Sequence, residues 1–221
     1  MPLAGRTVLE VALQPFVDDE RCAGIVLALS AAALAEAALR ARLHPKVRAV
    51  AGGAQRCDSV LLALEALAPS VPEEDWVLVH DAARPTLSMR DLDRLLGAAP
   101  LAGDGALLAA PVADTIKQAD RQAAAGQAAA GQAAVSARTV DRSLLWRALT
   151  PQMFRLGRLR AALQAARASG RLPTDEAQAM EWQGAAPLLV PAQDSNIKIT
   201  GREDLAVAAA ILDARAGEGE S

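Results

Sequence analysis

The chain has 221 residues, of which 52% are hydrophobic and only 2% aromatic, and its formal net charge is -3. This length fits one domain over residues 1–221, and the scarcity of aromatic rings argues against nucleic-acid binding by base stacking. A weakly acidic chain has no general attraction to polyanions, so phosphate recognition must be local. No apolar run approaches the roughly 20 residues that cross a bilayer, and no secretory signal is evident. We therefore expect a cytoplasmic protein without membrane or nucleic-acid partners.

In the first half of the chain, short apolar runs alternate with helical patterns. Thr7 and Glu10 match a capping box that starts a helix, and Ser88 with Asp91 matches another. The predicted strands are GIVLAL (24–29), VRAVA (47–51), WVLVH (76–80) and GALLAAPV (105–112). This succession predicts an α/β fold with a mainly parallel sheet and helices on both faces. Ligands of such sheets lie beyond the carboxyl ends of the strands.

The second half of the chain breaks this rhythm. A five-residue repeat, QAAAGQAAAGQAAV (122–135), predicts an extended loop or the tip of an arm that we place at 112–142. Further helices are predicted over SLLWRAL (143–149), LGRLRAALQAARASG (156–170), TDEAQAMEW (174–182, with Thr174 as N-cap) and 202–215. The predicted strands are PLLVPA (187–192) and NIKIT (196–200).

Two charged residues, Asp81 and Arg84, follow the predicted strand WVLVH. Asp81 comes directly after WVLVH, where a carboxylate would be held rigidly and could ligate Mg²⁺ or a sugar hydroxyl. A turn or cap explains Asp81 equally well. Arg84 can meet a phosphate with two N–H groups, although a lone Arg is more often a solvated surface residue.

A second candidate ligand loop is GGAQRCDSV (52–60), which joins a strand to a helix. Its glycines allow close backbone approach, and the helix N-terminus favours anions, although the motif alone is weak. Lys198 lies in a predicted strand, where a surface position is the simpler explanation.

Six segments taken together are far more specific. VLVHDAARP, GGAQRCDSV, AAPVADTIK, TVDRSLLWRALTPQMF, TDEAQAMEW and NIKITGREDLAVA resemble, in order and spacing, the 2-C-methyl-D-erythritol 4-phosphate cytidylyltransferase family of the non-mevalonate isoprenoid pathway. The resemblance runs from about Pro2 to Ala210. It implies a Rossmann-like, GT-A-like nucleotidyltransferase fold of three layers with a protruding dimerisation arm.

The resemblance also implies roles for individual residues. It assigns CTP binding to Gly53, Arg56, Ser59, Asp81 and Ala82. It assigns methylerythritol phosphate binding to Asp81, Ala82, Arg84, Thr115, Arg142, Thr150 and Lys198. The catalytic roles fall to Lys198, Asp81 and Arg142. Arg142 follows the arm, which in the family crosses to the neighbouring subunit of a homodimer and completes its site.

The reaction implied is attack by a methylerythritol phosphate oxygen on the α-phosphorus of CTP, with pyrophosphate leaving. Mg²⁺ would bind mainly through the CTP phosphates. Positioning and charge neutralisation then supply most of the acceleration. Two alternatives stay open: a cytidylyltransferase for another polyol phosphate, such as ribitol phosphate, and a non-catalytic remnant that only dimerises or binds.

The sequence departs from the family pattern at its start. Family members open with a strand, a glycine-rich AAGxGxR loop and a PKQ segment around the triphosphate, and the printed sequence has none of these. Loss of that central strand would leave unpaired sheet edges. We expect the printed chain alone to be poorly active or inactive, and we favour a misplaced start over loss of function. The arm repeat is a second departure, which we interpret as a tolerated insertion.

Overall fold

A computed structural model describes residues 1–120, 134–193 and 195–217. Its strands are β1 (Pro2–Leu3), β2 (Arg6–Thr7), β3 (Ile25–Leu29), β4 (Val47–Ala51), β5 (Trp76–Val79), β6 (Ala106–Pro111), β7 (Ile116–Ala119), β8 (Ser136–Val140), β9 (Trp146–Arg155) and β10 (Leu188–Pro191). Its helices are α1 (Val8–Asp18), α2 (Ala31–Ala35), α3 (Ala37–Arg42), α4 (Arg56–Leu67), α5 (Met89–Gly97), α6 (Leu156–Ala168), α7 (Glu176–Glu181) and α8 (Arg202–Gly217).

The main sheet has four strands in the order β10, β6, β9, β5. The β10–β6 pair is parallel, whereas β9 runs antiparallel to both β6 and β5. Strands β3 and β4 pair in parallel, with Leu27 opposite Ala49. The predicted α/β fold is confirmed, with parallel and antiparallel pairs together.

The β3–β4 pair is separate from the main sheet in its hydrogen bonding. Within the described ranges, β3 pairs only with β4 and β5 only with β9, so each of β3 and β5 has one edge without a strand partner. Helix α4 connects the two sheets, because it packs on β3 while its Leu61 and Leu64 join the core beneath Val77 of β5.

Alternating side chains of the main sheet build a core on each face. Leu107 of β6 and Phe154 of β9 pack with α4, α6 and α7 on one face. Their neighbours Leu108 and Met153 pack with Leu95 of α5 on the other. The result is the predicted arrangement of three layers, with helices on both sides of a sheet.

Local signals predicted most of the element boundaries. The Thr7–Glu10 capping box is present in full. Ser88 caps α5 by accepting from the Asp91 N–H, but the Asp91 carboxylate accepts from the Gln193 N–H and does not complete the predicted box. Helix α6 is followed by Gly170, whose φ of +67° lies in the left-handed region that favours glycine. Helix α7 begins one residue later than predicted, because Asp175 rather than Thr174 is its N-cap.

Two predicted elements were wrong. SLLWRAL was predicted to be helical, but its last four residues begin the ten-residue strand β9. Pairing with β5 and β6 on its two sides outweighs the helical pattern. NIKIT was predicted to be a strand, yet it belongs to no described strand. It contacts the turn at residues 81–84 after β5, which we call the site turn, because the Ile199 N–H donates to the Ala83 carbonyl at 2.8 Å.

The arm contains a two-stranded antiparallel ribbon outside the main sheet. Ile116 of β7 lies opposite Val140 of β8, and the Lys117 ammonium donates to the Thr139 hydroxyl at 2.7 Å. Most residues of the ribbon are exposed. Residues 121–133, which include most of the predicted repeat, lie outside the described residues.

Candidate active site at the end of β5

One carboxylate at the carboxyl end of the main sheet faces three cations. Asp81 Oδ1 accepts from Arg56 Nε at 2.9 Å, and Asp81 Oδ2 lies 3.0 Å from Lys198 Nζ. Arg84 Nε lies 3.7 Å from the same Oδ2. The Asp81 side chain is only 13% exposed. Asp81, two residues after β5, therefore points into a polar cluster, and its role in the reaction stays a prediction.

The cations reach Asp81 from three separate parts of the chain. Arg56 begins α4, and Arg84 closes a turn in which its N–H donates to the Asp81 carbonyl at 2.9 Å. Lys198 lies in the segment between β10 and α8, outside any strand. Arg84 also fixes this segment, since its Nη1 donates to the Asn196 carbonyl at 2.8 Å. Residues that are far apart in sequence thus meet beyond the end of β5, as the family resemblance implies.

A small polar cavity opens beside this cluster. Its volume is about 180 Å³, and its lining includes Asp81 with all three cations, Thr150, Gln152 and Asp175. Ala82 follows Asp81 in the same turn. The structure therefore brings together five of the predicted site residues: Arg56, Asp81, Arg84, Thr150 and Lys198.

The glycine loop folds back on the start of α4. The Gly53 N–H donates to Ser59 Oγ at 3.0 Å, and the Ser59 hydroxyl donates to the Gln55 carbonyl at 3.1 Å. A Cβ atom at Gly53 would lie 2.3 Å from Asp58 Cβ, so only glycine fits. Gly53 and Ser59 are adjacent, as their shared motif implies, and their contact with CTP stays a prediction.

Thr150 connects the site turn to β9. Its hydroxyl oxygen accepts from the Asp81 N–H at 3.1 Å and lies 3.0 Å from His80 Nδ1. His80 Nε2 lies 3.0 Å from the Arg84 carbonyl, which can only accept. A neutral His80 with its proton on Nε2 satisfies both contacts, because the Thr150 O–H then donates to Nδ1.

Burial keeps His80 neutral. The pKa of His80 is lowered to about 4, because burial outweighs the upward effects of the Arg84 carbonyl and of Asp81. The Phe16 ring, 5.2 Å from the imidazole ring, contributes to this apolar cover. Protonation at Nδ1 would also force the Thr150 hydroxyl to turn away.

We expect His80 to make the protein less stable as the pH falls from about 6.5 to about 4. The unfolded chain takes up the proton first, so acid favours unfolding. Between pH 7.5 and pH 5 this group should remove up to about 2 kcal/mol of unfolding free energy. Urea unfolding at the two pH values measures it. His80→Gln should remove that part of the pH dependence, while the exposed His44→Gln should retain it; equal slopes in both variants would refute the assignment.

The charges of the cluster reinforce one another. Burial acts to raise the pKa of Asp81, but Arg56 and Lys198 outweigh burial and the pKa is lowered. Burial likewise acts to lower the pKa of Arg56. The carboxylates of Glu176 and Asp81 outweigh this effect of burial, so the pKa of Arg56 is raised. Burial lowers the pKa of Arg84 despite Asp81. Arg84 Nε is buried and has no hydrogen-bond partner among the described residues.

Two predicted residues lie outside both this cluster and the glycine loop. Thr115 and Arg142 are exposed at the base of the arm. The Arg142 guanidinium donates to the Ala113 carbonyl, and no hydrogen bond or ion pair among the described residues connects either side chain to Asp81. The structure of the single chain therefore does not bring Thr115 and Arg142 into contact with the Asp81 cluster.

Sequence reasoning missed Glu176. This residue is completely buried, and its two oxygens accept from Arg56 Nη1 at 2.7 Å and from Nη2 at 3.0 Å. The segment TDEAQAMEW was singled out, but an acidic residue in the first turn of a helix has an ordinary explanation in the helix dipole. The contact spans 120 residues, so no local pattern reveals it.

Comparison with known proteins gives one consistent family. The sequence model of the 2-C-methyl-D-erythritol 4-phosphate cytidylyltransferase family matches residues 1–214 of this chain. A protein of that name from Acidithiobacillus ferrooxidans (strain ATCC 53993 / BNL-5-31) is 50% identical over 223 residues, covering 98% of this chain and 89% of the relative. Another, from Pseudomonas fluorescens (strain SBW25), is 45% identical over 208 residues, covering 93% and 83%.

Solved structures agree with these sequence relatives. A crystal structure of 4-diphosphocytidyl-2C-methyl-D-erythritol synthase superposes with a TM-score of 0.82 at 36% identity, covering 96% of this chain and 93% of the other. The 2-C-methyl-D-erythritol 4-phosphate cytidylyltransferase from Thermus thermophilus gives a TM-score of 0.77 at 32% identity, covering 96% of this chain and 92% of the other.

None of the described helices is long and apolar enough to cross a membrane. The chain belongs to the 2-C-methyl-D-erythritol 4-phosphate cytidylyltransferase family of nucleotidyltransferases.

Proposed function

We propose that this protein transfers CMP from CTP to 2-C-methyl-D-erythritol 4-phosphate, giving 4-diphosphocytidyl-2-C-methyl-D-erythritol and pyrophosphate for isoprenoid precursor synthesis. The observation that carries the proposal is the contact of Asp81 with Arg56, Arg84 and Lys198 beside one polar cavity. This geometry suits two phosphorylated substrates, because fixed cations can neutralise the charge that develops at phosphorus.

Lys198 is the best placed of the cations to reach the reacting phosphates. Its side chain is 44% exposed, whereas those of Arg56 and Arg84 are 35% and 12% exposed. Asp81 holds the ammonium at 3.0 Å and so limits where it can point. A compact ammonium that a carboxylate holds in one direction can stabilise the charge that develops in the transition state.

The remaining contacts suit substrate orientation. The Gly53 loop presents backbone at the start of α4, where nucleotide groups can approach closely. Thr150 is held by Asp81 and His80 at the cavity wall. We assign CTP to the Gly53 side, with Ser59 and Ala82, and the methylerythritol phosphate to the Thr150 side, with Arg84. The acid–base demands on the protein are small, so orientation carries most of the work.

We propose Mg²⁺ as the divalent ion and CTP as its main ligand. The carboxylates of the cavity already have partners: Asp81 faces Arg56 and Lys198, while Asp175 accepts from the Gln178 N–H and from Gln152. No group of three or more His, Cys, Asp or Glu side chains in the described part of the chain is placed to hold a metal. This donor set fits an ion carried by the phosphates, which Mg²⁺ commonly is. When bound, the ion supplies neutralisation of the triphosphate charge.

We also propose a homodimer in which the arm completes the partner's site. An isolated two-stranded ribbon is at best marginally stable, and β7–β8 is exposed on most of its surface. Arg142 and Thr115 lie at the base of this ribbon, away from the Asp81 cluster of their own chain. A second chain that covers the arm would explain both facts.

A panel of phosphorylated polyols tests the substrate. With CTP and Mg²⁺, methylerythritol phosphate should give pyrophosphate and 4-diphosphocytidyl-2-C-methyl-D-erythritol in equal amounts. Ribitol 5-phosphate should be used at least about 100-fold less efficiently. A preference for ribitol 5-phosphate would identify a different polyol phosphate cytidylyltransferase. Tight binding of either substrate without turnover would favour a non-catalytic remnant. Each assay uses the printed chain and a form extended through the upstream reading frame, and the more active form serves as the parent for variants.

A further inference from the structure

We propose that Glu176 is a positioning residue for the transfer reaction: it fixes the Arg56 guanidinium so that Arg56 orients Asp81 and leaves one Asp81 oxygen for Lys198. This inference rests on the proposed function and names a further residue of the same site. Glu176 does not line the cavity and cannot touch a substrate, because none of its surface is exposed.

The contacts of Arg56 are divided between two carboxylates. Both terminal nitrogens face Glu176, at 2.7 and 3.0 Å, in a two-point contact that fixes the plane of the guanidinium. Only Nε remains for Asp81, which it contacts through Oδ1 at 2.9 Å. The second oxygen, Oδ2, is therefore left for Lys198 at 3.0 Å.

Without Glu176, this division has no reason to persist. A free guanidinium prefers a two-point contact with a carboxylate, and Asp81 is the other carboxylate that Arg56 contacts. Such a contact would occupy Oδ2 and displace Lys198. Glu176 thus controls the reactive lysine through two intermediate side chains.

Helix α7 holds Glu176 firmly against the main sheet. Gln152 of β9, which is 1% exposed, accepts from the Ala177 N–H at 2.8 Å and donates to Asp175 at 2.9 Å. Asp175 in turn caps α7 by accepting from the Gln178 N–H at 2.9 Å. Residues on both sides of Glu176 are thereby fixed.

A buried ion pair could instead serve stability alone. Breaking such a pair by removing one partner destabilises a protein, whereas replacing both partners by neutral groups is often tolerated. The pair Arg56–Glu176 can therefore be neutralised as a unit. A purely structural role predicts that Glu176→Gln lowers stability but leaves the kcat/KM of the folded protein unchanged, whereas a positioning role predicts a lower kcat/KM that depends on the presence of Lys198.

The experiment compares Glu176→Gln, the double variant Arg56→Gln/Glu176→Gln, and the exposed control Glu181→Gln on the same helix. In Glu176→Gln we expect kcat/KM for methylerythritol phosphate to fall about 10- to 100-fold, as for other residues that orient a reacting group. The double variant should regain the unfolding midpoint of the parent without regaining kcat/KM, although removal of Arg56 from the CTP side explains this loss as well. In a Lys198→Ala background, Glu176→Gln should therefore lower kcat/KM by no more than about 2-fold further, because its effect passes through Lys198. A further loss as large as in the parent background would overturn the proposal. Glu181→Gln should match the parent in both kcat/KM and unfolding midpoint. Recovery of kcat/KM together with stability in the double variant would overturn the positioning role.

A second readout does not depend on turnover. In ¹⁵N NMR spectra the Arg56 Nε–H should give a resolved, slowly exchanging signal in the parent and in Glu181→Gln, and this signal should broaden or shift in Glu176→Gln. An unchanged signal in Glu176→Gln would overturn the proposal even if the enzyme is active. A signal that depends on Glu176 in a protein without transferase activity would refute the proposed reaction while confirming that Glu176 fixes Arg56.

Discussion

Replacing Lys198 with Ala should lower kcat about 100- to 1,000-fold, the usual cost of removing one group that stabilises charge in a transition state. The lysine lies 3.0 Å from Asp81 and is 44% exposed, so it combines a fixed direction with access to the cavity. Because Lys198 is partly exposed and Asp81 keeps Arg56 as a partner, we expect only a modest loss of stability, about 1 kcal/mol or less. Steady-state kinetics and urea unfolding of the same preparation measure both quantities.

Lys198→Arg is the matched control for charge. It restores the positive charge but replaces a compact ammonium by a planar fork, so we expect partial activity between that of Lys198→Ala and the parent. A Lys198→Ala variant that keeps more than about a tenth of the parent kcat would show that another group neutralises the reacting phosphates.

Arg142→Ala should lower kcat/KM for methylerythritol phosphate about 100-fold, because the anionic substrate would lose a charged partner. The decisive result comes from mixed dimers of Arg142→Ala and Lys198→Ala chains that carry different affinity tags. If the arm completes the partner's site, each mixed dimer contains one intact site and one with both defects. The purified mixed dimer should then recover about half of the parent activity.

The same mixed dimer distinguishes the alternative in which Arg142 acts within its own chain. In that case each site of the mixed dimer lacks one essential residue, and its activity should stay at the level of the two single variants. Parent dimers assembled from the two tagged chains provide the control for the tags. This result would contradict the dimer proposal, even if Arg142 itself proved essential.

Local patterns predicted those parts of the fold that depend on local forces. The capping box at Thr7, the Ser88 cap and the glycine after α6 fix backbone groups over a few residues, and the structure contains them, although Asp91 does not complete the second box. Residues 146–149 were misread because β9 is stabilised by partners on both sides, β5 and β6, which are distant in sequence.

The site shows the same division. A residue at the end of a buried strand is placed by the sheet, so Asp81 was predictable and its cluster with Arg56, Arg84 and Lys198 is present. Glu176 was missed because its importance comes from a contact with one arginine 120 residues away. Sequence patterns also left Lys198 in a strand, whereas the contact between Ile199 and Ala83 places its segment beside the site turn.

Pyrophosphate release tests the central claim most directly. It would be followed with CTP, Mg²⁺ and methylerythritol phosphate, for the printed chain and for the form extended through the upstream reading frame, together with the Lys198→Ala variant. We predict that at least one form releases pyrophosphate only when both substrates are present, in an amount equal to the 4-diphosphocytidyl-2-C-methyl-D-erythritol formed. Most of this release should be lost in Lys198→Ala. No release by either form, from protein that unfolds cooperatively in urea, would contradict the proposed reaction.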